Sequence, residues 1–71
     1  MMHHLNLTST FINRRDTLRI TQAYLAELAG VSLRTVKAIE SGTGNPRMDT
    51  LIKLADVLGM ELKLVVKPHN P

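Results

Sequence analysis

Two basic residues, Arg34 and Lys37, stand three positions apart in the segment GVSLRTVKAIES, which covers Gly30–Ser41. The apolar residues Val36 and Ile39 are also three apart, so helical periodicity turns them inward and leaves the cations on the free side. An arginine can offer a bidentate fork to guanine O6 and N7, and a lysine can donate to the same acceptors. The pattern therefore predicts a base-reading surface, although two solvated cations on an exposed helix would leave the same pattern.

The other polar residues do not form the groupings that catalysis or metal binding requires. A catalytic site needs a nucleophile with a base in reach, paired carboxylates or a metal cluster. Cysteine is absent, His3 and His4 stand near the N-terminus without Cys, Asp or Glu beside them, and the glycines of SGTGNP (Ser41–Pro46) do not follow a strand. We therefore expect no enzyme activity, no metal site and no cofactor.

Length and composition set broad limits on the protein. A chain of 71 residues is one small domain of narrow stability. Its net charge of +3 gives weak support for a polyanionic partner. The absence of cysteine fits a reducing compartment, and no apolar run approaches the roughly 18 residues of a membrane span. The N-terminus does not resemble a signal peptide, so a cytoplasmic protein without membrane association is expected.

Apolar periodicity predicts four helices between residues 8 and 59. The first covers about Ser9–Leu18 with Thr8 or Ser9 as its cap, the second is QAYLAELA after Thr21, the third follows Ser32, and the fourth is MDTLIKLADVLG at residues 48–59. The predicted inward residues of the second and fourth helices are Leu25, Leu28, Ala29, Met48, Leu51, Ile52, Leu54, Ala55 and Leu58. Residues 1–7 are expected to be a flexible N-terminus, and residues 68–71 a disordered tail.

The periodicity changes after the fourth helix. Residues 60–67, MELKLVVK, alternate, with Met60, Leu62, Leu64 and Val66 on one side. This alternation predicts a β-strand with one buried face. A lone strand lacks backbone partners, so we expect it to pair antiparallel with its copy in a homodimer. A strand-like tail packed on its own helices is the alternative.

The second and third helices are separated only by GVS, residues 30–32, which is too short for a long hairpin. They must cross steeply, with the small Ala26 at their closest approach and Gly30 at the turn. This is the helix-turn-helix arrangement, in which the later helix can enter a major groove.

These residues resemble a known class. TQAYLAELAGVSLRTVKAIESGTGNPRMDTLIKLADVLG, Thr21–Gly59, resembles the Xre or phage-repressor helix-turn-helix proteins throughout its length. Its flanks, NRRDTLRITQ before and GNPRMDTLIKLADVLGMELKLVVKP after, look like the HipB-type antitoxins, including the Y4mF group. The resemblance implies a mainly all-α, lambda-repressor-like domain of four to five helices whose C-terminal strand pairs with a second subunit.

For function, the resemblance implies an antitoxin that binds a HipA-type kinase toxin and, as a dimer, represses its own operon at an inverted repeat. Two alternatives stay open. The protein could be a phage- or plasmid-type repressor with no toxin partner, or a toxin-binding module that has lost DNA binding.

The resemblance also assigns roles to individual positions. The base-edge positions are Ser32, Leu33, Arg34, Lys37 and Ala38. Helix-start N–H groups and short polar side chains also suit phosphate contacts, independently of the resemblance. Together with Gln22, the expected phosphate contacts are Thr21, Thr35, Thr43, Asn45 and Arg47. Gln22 matches the family position that also braces the recognition helix, and Arg47 replaces a Ser or Thr that would cap the fourth helix.

Three further charged residues lie outside these two contact sets. Glu40 is expected to make an internal ion pair or hydrogen bond. Arg14 and Arg15 could serve DNA or a toxin surface, but the favoured interpretation is a solvated helix face.

Overall fold

The computed structural model describes residues 2–68, with the side chains of residues 7–68, as four α-helices. They are α1 (Met2–Leu18), α2 (Gln22–Ala29), α3 (Leu33–Ser41) and α4 (Met48–Val57). The predicted all-α helix-turn-helix architecture is therefore confirmed. Helix α1 begins at Met2 rather than Ser9, so Thr8 and Ser9 lie inside the helix and do not cap it. The side chains of His3 and His4, and the tail residues 69–71, lie outside the described part.

Local signals determine where α2 and α3 begin and end. The hydroxyl oxygens of Thr21 and Ser32 accept hydrogen bonds from backbone N–H groups three residues later, at 3.0 and 3.1 Å. Gly30 and Gly42 end the two helices with φ angles of 72° and 75°. This left-handed conformation costs glycine little, and it lets the cap N–H reach the last free carbonyls of the helix. The predicted caps at Thr21 and Ser32 and the turn at Gly30 are confirmed.

The helices enclose one apolar core to which every helix contributes. Its buried members are Phe11, Leu25, Ala26, Val36, Ile39, Leu51, Leu54, Ala55 and Leu58. Leu28 was predicted to lie in this core but is 50% exposed, and Met48 and Ile52 are exposed as well. Helix α2 packs on both α3 and α4 through Leu25 and Ala26. Since each helical residue turns the chain by about 100°, Leu28 lies about 160° around α2 from Ala26.

The crossing of α2 and α3 follows from a small residue and a short turn. Ala26 is buried, and its carbonyl accepts the Val31 N–H at 3.0 Å. Helix α1 also packs against α3, and the Thr8 hydroxyl donates to the Ile39 carbonyl at 3.1 Å. Helix α3 is thus anchored at both ends on one side, and its opposite side stays free.

The predicted C-terminal strand is not formed in the structure, which is that of a single chain. Residues 60–68 have no regular secondary structure, and the part of the chain described here contains no other strand. A strand needs a neighbour for its N–H and C=O groups, and the four helices offer none. Met60 packs against the core, but Leu64 and Val66 are 96% and 95% exposed, so the tail does not pack on its own helices either.

Candidate nucleic-acid interface

The outer face of α3 carries the two cations singled out by their spacing. Val36 and Ile39 are buried, whereas Arg34 and Lys37 are exposed, and Ala38 is half-buried beside them. Neither cation forms an ion pair with any residue that the structure describes. Their guanidinium and ammonium groups are therefore free to donate to a ligand.

The start of α3 is fixed by two side chains that were predicted to contact DNA. Ser32 Oγ accepts the Thr35 N–H at 3.1 Å and lies 2.8 Å from Thr35 Oγ1. These contacts hold the first turn in a single arrangement. Leu33 is exposed next to Ser32, so the predicted base-edge residues share the free side of one helix.

A buried polar network holds the other end of α3. Glu40 is only 8% exposed, and Arg15 of α1 donates two hydrogen bonds, of 2.7 and 3.0 Å, to its carboxylate. Gln22 of α2 donates its Nε2 to Glu40 Oε1 at 2.9 Å, and Arg15 also donates to the Ile20 carbonyl at 2.9 Å. The hydrogen bonds to Glu40 raise the pKa of Arg15, which stays charged. Three helices are thereby tied together behind the exposed face.

This network settles three predictions. Glu40 makes an internal ion pair, as predicted, and Gln22 braces the recognition helix. The solvated-face interpretation of Arg15 is wrong, because its side chain lies between α1 and α3. The spacing contained a usable signal, since Arg15 follows the buried Phe11 by four residues and so lies on the same side of α1.

The solvated-face interpretation is also wrong for Arg14. Its Nε donates to the Leu58 carbonyl at 2.7 Å, at the end of α4. An arginine at this position satisfies a carbonyl that the helix leaves unpaired and interacts favourably with the helix dipole. The sequence offered no comparable signal, because the partner is a backbone carbonyl 44 residues away.

A groove of about 240 Å³ runs between the outer side of α3 and the start of α4. Its lining residues are Thr35, Ala38, Ile39, Thr43, Gly44, Asn45, Pro46, Arg47 and Thr50. Four of the six predicted phosphate contacts line this groove, beside the cations of α3. The other two, Thr21 and Gln22, lie at the start of α2, where Gln22 is already bonded to Glu40.

The start of α4 lacks a side-chain cap, as the arginine at this position predicted. Arg47 occupies the cap position without a side-chain hydrogen bond to a backbone N–H of the helix, and its Nε donates to the Asp49 side chain at 3.2 Å. Asp49 Oδ1 also accepts the Thr50 N–H at 2.9 Å. The hydrogen bond from Arg47 lowers the pKa of Asp49 below its usual range. Sequence reasoning did not single out Asp49.

Other kinds of site find little support in this part of the chain. Among the described residues, no three of the His, Asp and Glu side chains are grouped to hold a metal ion. None of the described helices has the length and apolar character needed to cross a membrane.

Comparison with known proteins identifies relatives of the same architecture. The helix-turn-helix family profile matches residues 12–65. The chain is 36% identical over 58 residues to the cryptic phage CTXphi transcriptional repressor RstR of Vibrio cholerae, covering 82% of this chain and 52% of that protein. It is 39% identical over 59 residues to an uncharacterized HTH-type transcriptional regulator of Haemophilus influenzae, covering 83% and 60%. The chain thus spans between half and three fifths of the length of these relatives. The family profile, the four-helix fold and the exposed third helix all indicate the same family. The chain belongs to the Xre-type helix-turn-helix family.

Proposed function

We propose that this protein is a sequence-specific, double-stranded-DNA-binding transcriptional repressor without enzyme activity, which acts in the cytoplasm where its operator lies. The observation that carries the proposal is the placement of Arg34 and Lys37. Both cations are exposed on a helix whose opposite side is anchored by Val36 and Ile39. A helix held in this way can enter the major groove with its side chains at the base edges.

The base-reading and phosphate-binding residues divide by position. Arg34 pairs with guanine O6 and N7, Lys37 donates to the same kind of acceptor, and Leu33 or Ala38 contacts a thymine methyl group. Ser32 completes the base-facing set. The phosphate contacts are Thr21, Gln22, Thr35, Thr43, Asn45 and Arg47, which orient the protein without reading sequence.

The first test of this function is the salt dependence of DNA binding. A repressor dimer that neutralises about six to ten phosphates should lose about 10³ to 10⁵ in affinity between about 50 and 200 mM salt. The measurement is a titration of the DNA upstream of the protein's own reading frame, with a random-sequence duplex of equal length as control. The control should bind at least about 10³-fold more weakly. Salt-insensitive binding, or equal affinity for both duplexes, would contradict the proposal.

We further propose that the repressor is a homodimer in which residues 60–67 form an antiparallel strand pair. The alternation of Met60, Leu62, Leu64 and Val66, which is strict up to Leu64, and the exposure of Leu64 and Val66 in the single chain support this arrangement. A second copy would supply the missing backbone partners and cover the apolar side chains. Such a dimer would read an inverted repeat whose half-sites lie about one helical turn, roughly 34 Å, apart.

Leu64→Lys tests the dimer directly. It places a charge in the proposed shared face, so the protein should shift toward monomer in sedimentation velocity experiments. Val65→Lys is the matched control, because Val65 lies on the opposite side of the alternating pattern and should leave the dimer intact. An unchanged dimer for Leu64→Lys, or an equal shift for both variants, would place the interface elsewhere. The helix content should not change, since Leu64 does not contact the helical core.

The partner of the repressor is the remaining part of the proposal. The flanking sequences support the antitoxin of a HipA-type toxin-antitoxin module, which would bind the kinase toxin and regulate its own operon. The similarity to a phage repressor favours the second candidate, a phage-type repressor with no toxin. A HipA-like kinase in the adjacent reading frame, co-purifying with this protein, would decide for the antitoxin, and its absence would decide for the phage-type repressor.

A further inference from the structure

The proposed DNA-binding surface contains one exposed acid in an otherwise neutral or basic stretch. Between Ser32 and Thr50 the sequence has two acidic residues, Glu40 and Asp49. Glu40 faces inward and is neutralised by Arg15. Asp49 is exposed on the first turn of α4, next to two lining residues of the groove. A carboxylate at this position would repel the phosphates that the surrounding residues are suited to bind.

Asp49 also forms an ion pair with the arginine beside it. Arg47 Nε lies 3.2 Å from Asp49 Oδ1, and the arginine side chain is 82% exposed. An exposed ion pair of this kind is weak, so the guanidinium can leave it for a stronger acceptor. A DNA phosphate is such an acceptor, and it can accept two parallel hydrogen bonds from the arginine fork.

We propose that Asp49 competes with the DNA backbone for the guanidinium of Arg47 and thereby lowers the affinity of the repressor for DNA. The inference rests on the proposed DNA-binding function and deepens it by assigning a regulatory role to a residue outside the contact set. Since the contested ligand is a phosphate, the attenuation acts equally on every DNA sequence. Asp49 therefore limits how tightly the repressor is held without changing the operator that Arg34 and Lys37 select.

A structural role for Asp49 must be separated from this competition. Its Oδ1 accepts the Thr50 N–H, and a negative charge on the first turn favours the helix. Asparagine keeps the acceptor oxygen and the shape of the side chain, so Asp49→Asn removes the charge while retaining the hydrogen bond. Asp56→Asn is the matched control, because it removes the same charge from an exposed site about 10.5 Å further along α4. That spacing is about one Debye length at 0.1 M salt.

The experiment measures the affinity of each variant for a labelled random-sequence duplex over a range of salt concentrations. Asp49→Asn should bind about two- to thirtyfold more tightly than the unaltered protein, as expected when both subunits of the proposed dimer release an exposed ion pair. Its log–log salt slope should steepen by up to about two, because each subunit of the proposed dimer makes one more phosphate contact. Asp56→Asn should raise the affinity for DNA clearly less than Asp49→Asn does. Equal gains for the two variants would overturn the proposal, since overall charge would then explain the effect.

Removing the contested cation separates competition from simple repulsion. Arg47→Gln should lower the affinity for DNA. When Asp49→Asn is added to Arg47→Gln, the affinity should rise no more than it does when Asp56→Asn is added. If Asp49→Asn keeps its full gain without Arg47, the acid acts by repelling DNA and the competition is overturned. If the unaltered protein does not bind DNA at any salt concentration, the proposed function fails and the inference fails with it. Unchanged thermal unfolding of Asp49→Asn would support the competition over a structural cause.

Discussion

Replacing both Arg34 and Lys37 by alanine should abolish operator binding and leave the fold intact. A good bidentate contact to a base is worth about 1 to 3 kcal/mol. A dimer loses each contact twice, so the combined loss should reach at least about a thousandfold in affinity. Neither side chain takes part in the core or in an ion pair among the described residues. Thermal unfolding and sedimentation should therefore match the unaltered protein, whereas operator titration should show no specific complex.

The control for this experiment removes two cations from elsewhere on the surface. Lys53→Ala combined with Lys63→Ala subtracts the same charge but leaves α3 unchanged, and both lysines are exposed. The control pair should lower the affinity for operator DNA and for random-sequence DNA by a similar small factor, because the effect is electrostatic and unspecific. If the control pair loses as much operator affinity as the Arg34 and Lys37 pair, the free face of α3 is not the reading surface.

Replacing Glu40 alone by leucine should destabilise the domain severely. The substitution leaves the Arg15 guanidinium largely buried without its counter-charge, and breaking such a pair costs about 3 to 5 kcal/mol. Arg15 keeps some solvent contact, so the lower end of this range is expected. The total stability expected of a domain of this size is about 4 to 10 kcal/mol. In urea denaturation, the variant should unfold at low urea concentration or be partly unfolded before any urea is added.

Replacing both members of the pair provides the comparison. Arg15→Met together with Glu40→Leu exchanges the ion pair for apolar side chains, and such exchanges are often neutral or stabilising. The double variant should therefore be more stable than Glu40→Leu alone, which gives a coupling free energy by a double-mutant cycle. Equal destabilisation of the single and double variants would mean that Glu40 acts mainly through Gln22. The pKa of Arg15 is raised in the folded protein. The stabilisation that the charged Arg15 contributes is therefore fully present below the ordinary arginine pKa, and it is lost only as the pH rises through the raised pKa.

The features that the sequence predicted correctly are those specified by neighbouring residues. Thr21 and Ser32 precede apolar periodic segments and carry a hydroxyl that reaches a backbone N–H in the next turn, so the starts of α2 and α3 could be located. Gly30 could be placed because few other residues adopt its φ angle at low cost. Val36 and Ile39 follow from periodicity on a short amphipathic helix.

The features that the sequence did not predict depend on partners distant in the chain. Leu28 fits the periodicity of α2, yet it is exposed because the packing angle of α2 on α3 and α4 decides which side is covered. Arg14 and Arg15 look like surface cations until their acceptors on α4 and α3 are in place. Residues 60–67 alternate as a strand does, but a single chain offers no neighbour to pair with them.

Anchoring at both ends has a consequence for the thermodynamics of recognition. Ser32 and Thr35 fix the first turn of α3, and the Arg15–Glu40 ion pair with the Thr8–Ile39 hydrogen bond fixes the last. The helix is therefore ordered before it meets DNA, and association does not include the entropy loss of coupled folding. A helix held by its own domain has less freedom to adjust to an unfavourable groove, so more of the adjustment falls on the duplex. Operator sequences that bend or twist easily should then be preferred at positions that no side chain touches.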